Sequence, residues 1–175
     1  QGIVDGRNPR AFSKIGDGEI STTWFLTDFD LGTAIECHCE RHAEVSVLLT
    51  RVENPLQYGV VIAESDGRIS RFLEKPTWSE VFSDTVNTGI YLLDPSVLDL
   101  IPPKREFDFS RDLFPLMMRE GKRLFGYVAE GYWRDVGTID AYWQAHMDLL
   151  EDRPRLDLLD RDWVIHTRSE ERPPV

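Results

Sequence analysis

Short apolar runs along the chain alternate with segments of helical periodicity. The runs at 45–52 and 86–93 are rich in leucine and β-branched residues, and they predict strands that are buried on both faces. Asp66-Gly67 predicts a hairpin with a type I′ turn. The other strands expected from the pattern are 58–63, 69–73, 124–128 and 132–134.

Helices are expected between these strands. Asp30 can cap a helix over 31–42, and Thr138 can cap a last helix with a 3.6-residue apolar period. Proline favours a short helix start at Asp94-Pro95, and another helix should run from Ser110 to Gly121. The apolar positions of the last helix are Ala141, Tyr142, Ala145 and Leu149. The alternation predicts an α/β, three-layer, Rossmann-like domain.

The two ends of the chain depart from this regular pattern. Residues 1–24 are rich in glycine and aspartate and predict an irregular arm. The domain proper is expected over 25–153, followed by an extension over 154–175.

The charge of the chain restricts its partners. A net charge of −11 over 175 residues argues against nucleic acid or an anionic membrane as the main partner. The sequence holds no apolar stretch long enough to span a bilayer, so no membrane segment is expected. A phosphorylated small substrate is compatible with this charge, because one local cation and a metal ion can reverse the field in a cleft.

Two cysteines, Cys37 and Cys39, lie beside His38 and His42. Helical residues two apart point about 200° away from each other, so these thiols do not readily share one ion. One buried thiol and an exposed polar face is the favoured interpretation, and a metal site is the alternative. Such cysteines favour a reduced, cytoplasmic compartment.

Small polar clusters stand at the ends of the predicted strands. Lys75 is a cation at a strand end, and Asp135 is a carboxylate of the kind that binds Mg²⁺. Gly59 and Gly89 can let the backbone approach a ligand, although a bulge or close packing is the alternative for each. The other polar members are Glu74, Asn87 and Thr88. Together they supply what a phosphosugar site needs.

The order and the residue sequences of these clusters resemble the motifs of the sugar-1-phosphate nucleotidyltransferases, most closely those of the mannose-1-phosphate guanylyltransferase-like branch. The resemblance runs from about residue 26 to the C-terminus. It implies a glycosyltransferase-A-like domain with a mixed sheet. Its motifs are Tyr-Gly-Val at 58–60, Leu-Glu-Lys-Pro at 73–76, Asn-Thr-Gly-Ile-Tyr at 87–91 and Tyr-Trp-Arg-Asp-Val-Gly-Thr at 132–138.

The resemblance also implies roles for single residues. Glu74 would bind the sugar hydroxyls, Lys75 would bind the sugar phosphate, and Asp135 would ligate Mg²⁺. For Asp135, a turn-forming or N-capping role is the alternative. Lys75 and Asp135 are therefore the candidate catalytic residues. The residues implied for substrate binding are Gly59, Glu74, Lys75, Asn87, Thr88 and Gly89.

Other positions depart from the family pattern. The family has a Gly-Asp pair that supplies a further Mg²⁺ ligand, but Thr23 and Trp24 stand there, and tryptophan cannot ligate Mg²⁺. Asp28 could substitute, although its side chain is expected to point elsewhere. No glycine-rich loop that would cradle nucleotide phosphates is visible. The chain is thus expected to be truncated, with a β-helix domain missing after residue 165. Arg111 and Asp112 are interpreted as a capped helix start, with anion binding by its backbone as the alternative.

These features predict a partial nucleotidyltransferase domain that is inactive alone. The related enzymes form an NDP-sugar, here GDP-mannose, and pyrophosphate from an NTP and a sugar 1-phosphate. The expected partners are a sugar 1-phosphate, GTP if the loop is supplied, Mg²⁺, and further copies of the chain. The alternative is a non-catalytic sugar-phosphate-binding or regulatory subunit that pairs with a complete enzyme.

Replacing Lys75 tests the implied phosphate contact. If a sugar phosphate binds, Lys75→Ala should weaken binding by about 1.5–3 kcal/mol, the range for a charge-assisted hydrogen bond. Calorimetric titration measures the dissociation constant, and circular dichroism checks that the fold is retained. An unchanged constant in the folded variant would remove Lys75 from the site.

Overall fold

Seven strands and three α-helices occur in the part of the chain that the computed structural model describes, residues 25–74, 76–77 and 83–158. The strands are β1 (Phe25–Thr27), β2 (Val45–Arg51), β3 (Gly59–Ala63), β4 (Ile69–Glu74), β5 (Thr85–Leu93), β6 (Leu124–Val128) and β7 (Trp133–Asp135). The helices are α1 (Leu31–Glu40), α2 (Phe114–Arg119) and α3 (Ile139–Leu149).

Five of the strands form one mixed sheet in the order β4-β3-β5-β2-β6. The β2–β6 pair is parallel, and the other pairs are antiparallel. β1 and β7 form a separate antiparallel ribbon in which Phe25 stands opposite Asp135. The α/β fold with a mixed sheet is therefore confirmed.

The interior strand β2, which lies between β5 and β6, is buried on both faces, as its apolar run predicts. Val45, Val47 and Leu49 point into one hydrophobic core, while Leu48 points into a second core on the other side. This alternation follows from the two-residue period of a strand. The first core is covered by the segment 109–119, and the second contains Phe29 and Ala34 beside α1. The domain therefore has three layers.

Side-chain caps begin α1 and α3 where the sequence predicts them. Asp30 accepts a hydrogen bond from the backbone N–H of Thr33, and Thr138 accepts one from Ala141. One part of the prediction for α3 is wrong. Ala145 is buried, but Tyr142 is 58% exposed, because the outer side of α3 is not covered by any described residue. The 3.6-residue period correctly identified the apolar positions of α3, but it could not show which of them contact the rest of the domain.

The turn between β3 and β4 differs from the predicted type I′ turn. A type I′ turn needs a positive φ at both Asp66 and Gly67, but only Gly67 has one, at +86°. The N–H of Gly67 donates to the carbonyl of Glu64, and the N–H of Glu64 donates to the carbonyl of Arg68. These bonds define a type I turn followed by a glycine bulge, the commonest three-residue hairpin loop.

The helix predicted to start at Ser110 starts earlier and with a different geometry. Asp108 caps a π-helical turn, Phe109–Leu113, which continues into α2. Its carboxylate accepts from the N–H of Arg111 at 2.8 Å, and Asp112 accepts from the N–H of Asp108 at 2.9 Å. These two carboxylates thus cap the π-helical turn from both sides. The helix predicted at Asp94-Pro95 is a 3₁₀ helix, Pro95–Leu100.

Several predictions fall outside the described residues. They concern the arm over 1–24, Lys75 and most of the extension beyond 154. Within the described ranges, no helix is both long enough and apolar enough to cross a bilayer. The last short strand is shifted by one residue from the expected 132–134, and Asp135 ends it.

Gly89 lies in a bulge of β5. Val47 pairs with Tyr91 and Leu49 with Asn87, so three residues of β5 stand opposite Leu48 alone. Gly89 has a φ of +82°, and a Cβ at this position would meet nothing within 4 Å. The glycine is therefore explained by backbone conformation, the alternative that the sequence left open.

Substitution of Gly89 tests this explanation. Gly89→Ala should lower the free energy of unfolding by about 1–2 kcal/mol, the cost of left-handed backbone for a residue with a Cβ. Gly89→Asn is the matched control and should cost less, since asparagine tolerates this region. Urea denaturation measures both. Equal costs for the two variants would contradict a conformational cause.

Candidate functional site

A cleft of about 270 Å³ opens beside β3, β5 and the π-helical turn. It contains two of the residues predicted for substrate binding, Gly59 and Asn87. They come from separate strands that meet at the Val60–Val86 pair. The full lining is Gly59, Val60, Phe72, Leu73, Asn87, Ser110, Arg111 and Pro115.

The side-chain amide of Asn87 is held by three hydrogen bonds. Its Nδ2 donates to the hydroxyl of Tyr91 at 2.8 Å and to Ser110 Oγ at 3.3 Å. Its Oδ1 accepts from the N–H of Gly89 at 2.9 Å. A side chain fixed in this way presents its remaining lone pair in one direction, which suits recognition of a sugar hydroxyl.

Two of the residues around Asn87 were not predicted for this site. Tyr91 is the last residue of the family-like segment 87–91, so its spacing from Asn87 was visible in the sequence. Ser110 was interpreted only as a helix start, and it lies 23 residues away. No local signal links it to Asn87.

Arg111 places a cation at the cleft. Its backbone N–H is used by Asp108, while its side chain is exposed and lines the cleft. Among the described residues it forms no ion pair. The guanidinium matches the geometry of a phosphate or carboxylate. The sequence predicted Arg111 as part of a capped helix start. That prediction describes its backbone, but it did not include the position of its side chain at the cleft.

Thr88 lies on the opposite face of β5 from Asn87. The residue is 2% exposed, and its hydroxyl donates to the carbonyl of Leu48 at 2.8 Å. The Leu48 carbonyl lies opposite the β5 bulge, where the regular backbone pairing of β2 with β5 is interrupted. The Thr88 hydroxyl takes the place of the missing backbone donor. Substrate binding by Thr88 stays a prediction, and its contacts do not favour it.

Glu74 and Lys75 are described only in part. Glu74 is the last residue of β4 and pairs with Gly59, so its backbone reaches the edge of the cleft. Its side chain and the whole of Lys75 lie outside what the structure describes. Their implied roles stay predictions.

Asp135 carries a buried oxygen that has no hydrogen-bond partner. The unpaired atom is Oδ1, and the indole Nε1 of Trp133 is buried and unpaired as well. Trp133 and Asp135 are two apart in β7, so they share one face of the strand. Buried polar atoms are nearly always paired in folded proteins. Among the described residues these two atoms have no partner, so this face of β7 is a candidate place for a ligand.

An aromatic contact connects β7 with the cleft. The rings of Trp133 and Tyr58 meet edge to face with their centroids 5.5 Å apart. Tyr58 directly precedes Gly59, which lines the cleft. The face of β7 that carries Asp135 thus adjoins the cleft entrance.

The other face of β7 is bound to α3 through Asp148. Asp148 Oδ2 accepts from the hydroxyl of Tyr132 at 2.7 Å and pairs with Arg134 Nε at 2.9 Å. Asp148 Oδ1 accepts from Gln144 Nε2 at 3.1 Å. Burial raises the pKa of Asp148, but these hydrogen bonds and the charge of Arg134 outweigh it and hold that pKa below its usual range. Burial, and then the bond to Asp148, raise the pKa of Tyr132, so the phenol stays neutral.

The described residues suit Mg²⁺ only in one mode. They contain no cluster of three or more histidine, cysteine, aspartate or glutamate side chains. Asp28, the possible substitute ligand, accepts from the N–H of Tyr132 at 2.6 Å, so one of its oxygens already bonds the backbone next to β7. The unpaired Oδ1 of Asp135 fits the usual mode for Mg²⁺, in which one carboxylate acts together with substrate phosphates and water.

The cysteine pair follows the favoured interpretation. Cys37 is half-buried and Cys39 is exposed, and both are free thiols. The nearby His38 bonds through Nδ1 to Ser46 Oγ at 2.9 Å, which gives it a structural role in holding α1 to β2.

Comparisons with known proteins place the sequence beside one family of enzymes. A family model described as nucleotidyl transferase matches residues 24–152. A glucose-1-phosphate adenylyltransferase of Thermomicrobium roseum is 44% identical over 154 residues, which are 83% of this chain and 35% of that protein. Proteins of the same name from Bacillus thuringiensis and Bacillus anthracis are 35% identical over 153 residues, 83% of this chain and 40% of theirs. The chain thus spans 35–40% of the length of these relatives.

The names of these relatives correct one prediction. They are glucose-1-phosphate adenylyltransferases, so the predicted affinity to the mannose-1-phosphate guanylyltransferase-like branch, and with it GTP and GDP-mannose, is not supported. The motifs at 58–60, 73–76, 87–91 and 132–138 identified the superfamily. They do not distinguish the base or the sugar.

Acid should weaken the contribution of Asp148 to stability. Because its pKa is lowered in the folded state, the contribution is complete above about pH 3.9, the ordinary value for aspartate, and is lost as the pH falls through the lower folded value. Asp148→Asn should cost up to about 3 kcal/mol at pH 7, the lower end for a broken buried pair, since Arg134 is partly exposed. Urea unfolding between pH 7 and pH 3 measures the difference, which should shrink only at the acid end. A difference that grows on acidification would contradict the lowered pKa.

Proposed function

The chain belongs to the nucleotidyl transferase family, and on that premise we propose that its described part forms the sugar-phosphate side of a site that makes ADP-glucose and pyrophosphate from ATP and glucose 1-phosphate. The cleft lined by Gly59, Asn87 and Arg111 is the observation that carries this proposal. It combines a fixed amide with a cation, which are the groups that a hexose phosphate requires.

The chemistry is an in-line displacement at the α-phosphorus of ATP. An oxygen of the sugar phosphate attacks, and pyrophosphate leaves. No covalent intermediate with the protein is needed, so catalysis consists of positioning and charge neutralisation. The residues of this chain have to hold the sugar phosphate with one oxygen free to attack.

Asn87 and Arg111 are suited to those two tasks. The fixed amide of Asn87 would accept from a sugar hydroxyl, and the exposed guanidinium of Arg111 would bind the phosphate. Glu74 ends β4 opposite Gly59, and Lys75 is the next residue in the sequence; both are proposed to complete the site.

Asp135 is proposed to hold Mg²⁺ through its unpaired Oδ1. When bound, Mg²⁺ would neutralise phosphate charge at the site.

A non-catalytic sugar-phosphate-binding subunit is the second candidate. Trp24 stands where the related enzymes have a further carboxylate, and among the described residues Asp135 Oδ1 is the one buried carboxylate oxygen without a hydrogen-bond partner. This function keeps the binding of glucose 1-phosphate but not the transfer. Incubation with ATP, Mg²⁺ and glucose 1-phosphate distinguishes the candidates by whether pyrophosphate is released.

Titration with glucose 1-phosphate tests the binding site that both candidates share. We expect binding to the wild type, and Arg111→Ala should weaken it by about 1.5–3 kcal/mol through loss of a charge-assisted hydrogen bond. Arg119→Ala is the matched control. Arg119 is exposed at the end of α2, outside the cleft lining, so its loss should leave the dissociation constant within about twofold.

Binding of glucose without its phosphate should be much weaker, since the cations would have no anion to bind. Absence of any heat with glucose 1-phosphate would reject the proposed site. Equal losses in the Arg111 and Arg119 variants would show that general charge, rather than the cleft, determines binding.

A further inference from the structure

The strand that carries Asp135 has little backbone attachment to the rest of the fold. β7 has three residues and pairs only with the three residues of β1. Among the described residues, this ribbon is not hydrogen-bonded into the five-stranded sheet. Two-stranded ribbons are marginally stable by themselves. Side chains must therefore determine where β7 lies.

The two faces of β7 are held in different ways. On the face shared with Asp135, the Trp133 ring packs against the core that contains Phe29 and Leu48. This contact is apolar and tolerates small shifts. On the other face, Arg134 meets Asp148 of α3 in a directional ion pair. Directional bonds to a rigid helix define a position more sharply than apolar contact does.

Asp148 is unusual among the carboxylates of the chain. It is 6% exposed, and it has three donors, the side chains of Tyr132, Arg134 and Gln144. Tyr132 and Arg134 flank Trp133 in the sequence. The Asp148 carboxylate therefore bonds the chain on both sides of this tryptophan. Arg134 Nε also lies 3.1 Å from the hydroxyl of Tyr132, which closes a three-membered network.

The network reaches β1 as well. The backbone N–H of Tyr132 donates to Asp28 Oδ1, and the N–H of Asp28 donates to the carbonyl of Tyr132. Tyr132 therefore connects Asp148 with the residue that follows β1. Both strands of the ribbon depend on the position of this one tyrosine.

We infer that Asp148 is a positioning residue, which anchors the β1–β7 ribbon to α3 and thereby fixes the Asp135 carboxylate at the sugar-phosphate site. The part that concerns Asp135 rests on the proposed function, while the anchoring of the ribbon does not. A purely structural role is the competing explanation, in which Asp148 only attaches α3 to the domain.

Hydrogen exchange tests the anchoring without any ligand. In Asp148→Asn, exchange of the segments 25–29 and 132–136 should become at least about tenfold faster, because the ribbon opens locally. The segments of β2 and β5 should keep their protection. Asp140→Asn is the matched control, since Asp140 is an exposed carboxylate on the same helix without a described partner.

A milder variant provides the same test if Asp148→Asn does not fold. Tyr132→Phe removes one hydroxyl and keeps the buried ring. It should speed exchange in the same two segments to a smaller extent. Unchanged exchange of the ribbon in both variants, or an equal acceleration in β2 and β5, would overturn the inference.

Binding of glucose 1-phosphate in the presence of MgCl₂ tests the consequence for Asp135. Asp148→Asn should weaken binding at least about tenfold, as expected when a functional group is displaced by a fraction of an ångström to one ångström. Asp140→Asn should change it by less than about twofold.

A double-mutant cycle separates positioning from general damage. In an Asp135→Asn background, the further change Asp148→Asn should alter the affinity by less than about twofold, because the group that it positions is already altered. A purely structural role predicts the full loss in both backgrounds and would overturn the positioning of Asp135. If the wild type binds no glucose 1-phosphate, the proposed function fails, and hydrogen exchange still decides the anchoring.

Discussion

Burial of β2 on both faces is the constraint on which the rest of the domain depends. Val45, Val47 and Leu49 fill one core and Leu48 the other, so each face of the sheet needs a covering layer. Every fully buried side chain of this size contributes about 1.5–3 kcal/mol. The segment 109–119 covers the first core because Phe109, Leu113, Phe114 and Met117 are its apolar residues. That same packing brings Ser110 and Arg111 to the edge of β5, where they meet Asn87.

The site therefore has one rigid side and one that depends on side chains. Asn87 belongs to a five-stranded sheet, and its amide is fixed by bonds to Tyr91 and Gly89. Asp135 belongs to a three-residue strand outside that sheet. The sheet itself therefore holds Asn87, whereas the position of Asp135 depends on the side-chain contacts of its neighbours Trp133 and Arg134.

Local features of the fold were predictable because short-range chemistry decides them. The caps at Asp30 and Thr138, the buried run of β2 and the end of β7 at Asp135 depend on residues within a few positions. The start of the 109–119 segment was predicted at Ser110, but Asp108 caps it two residues earlier, with its carboxylate on the N–H of Arg111 and its own N–H on Asp112. Contacts between residues that are far apart in the sequence were not predictable either, because no local pattern encodes them. Nothing near Asn87 indicates Ser110, 23 residues away, and nothing near Arg134 indicates Asp148.

The sequence motifs do not identify the substrate, and the reason is again physical. The segments 73–76, 87–91 and 132–138 supply groups that recognise a phosphate, a hydroxyl and a metal, and such groups serve any hexose phosphate and any nucleotide. Discrimination between sugars requires a hydrogen-bond partner for a particular hydroxyl at a fixed place, because an unpaired buried polar group is what excludes the wrong substrate. Under the proposed function, the lone pair of Asn87 that Gly89 leaves unoccupied supplies such a partner, and the bond from Gly89 in the β5 bulge orients it. The proposed function therefore makes the choice of sugar depend on the conformation of a single glycine.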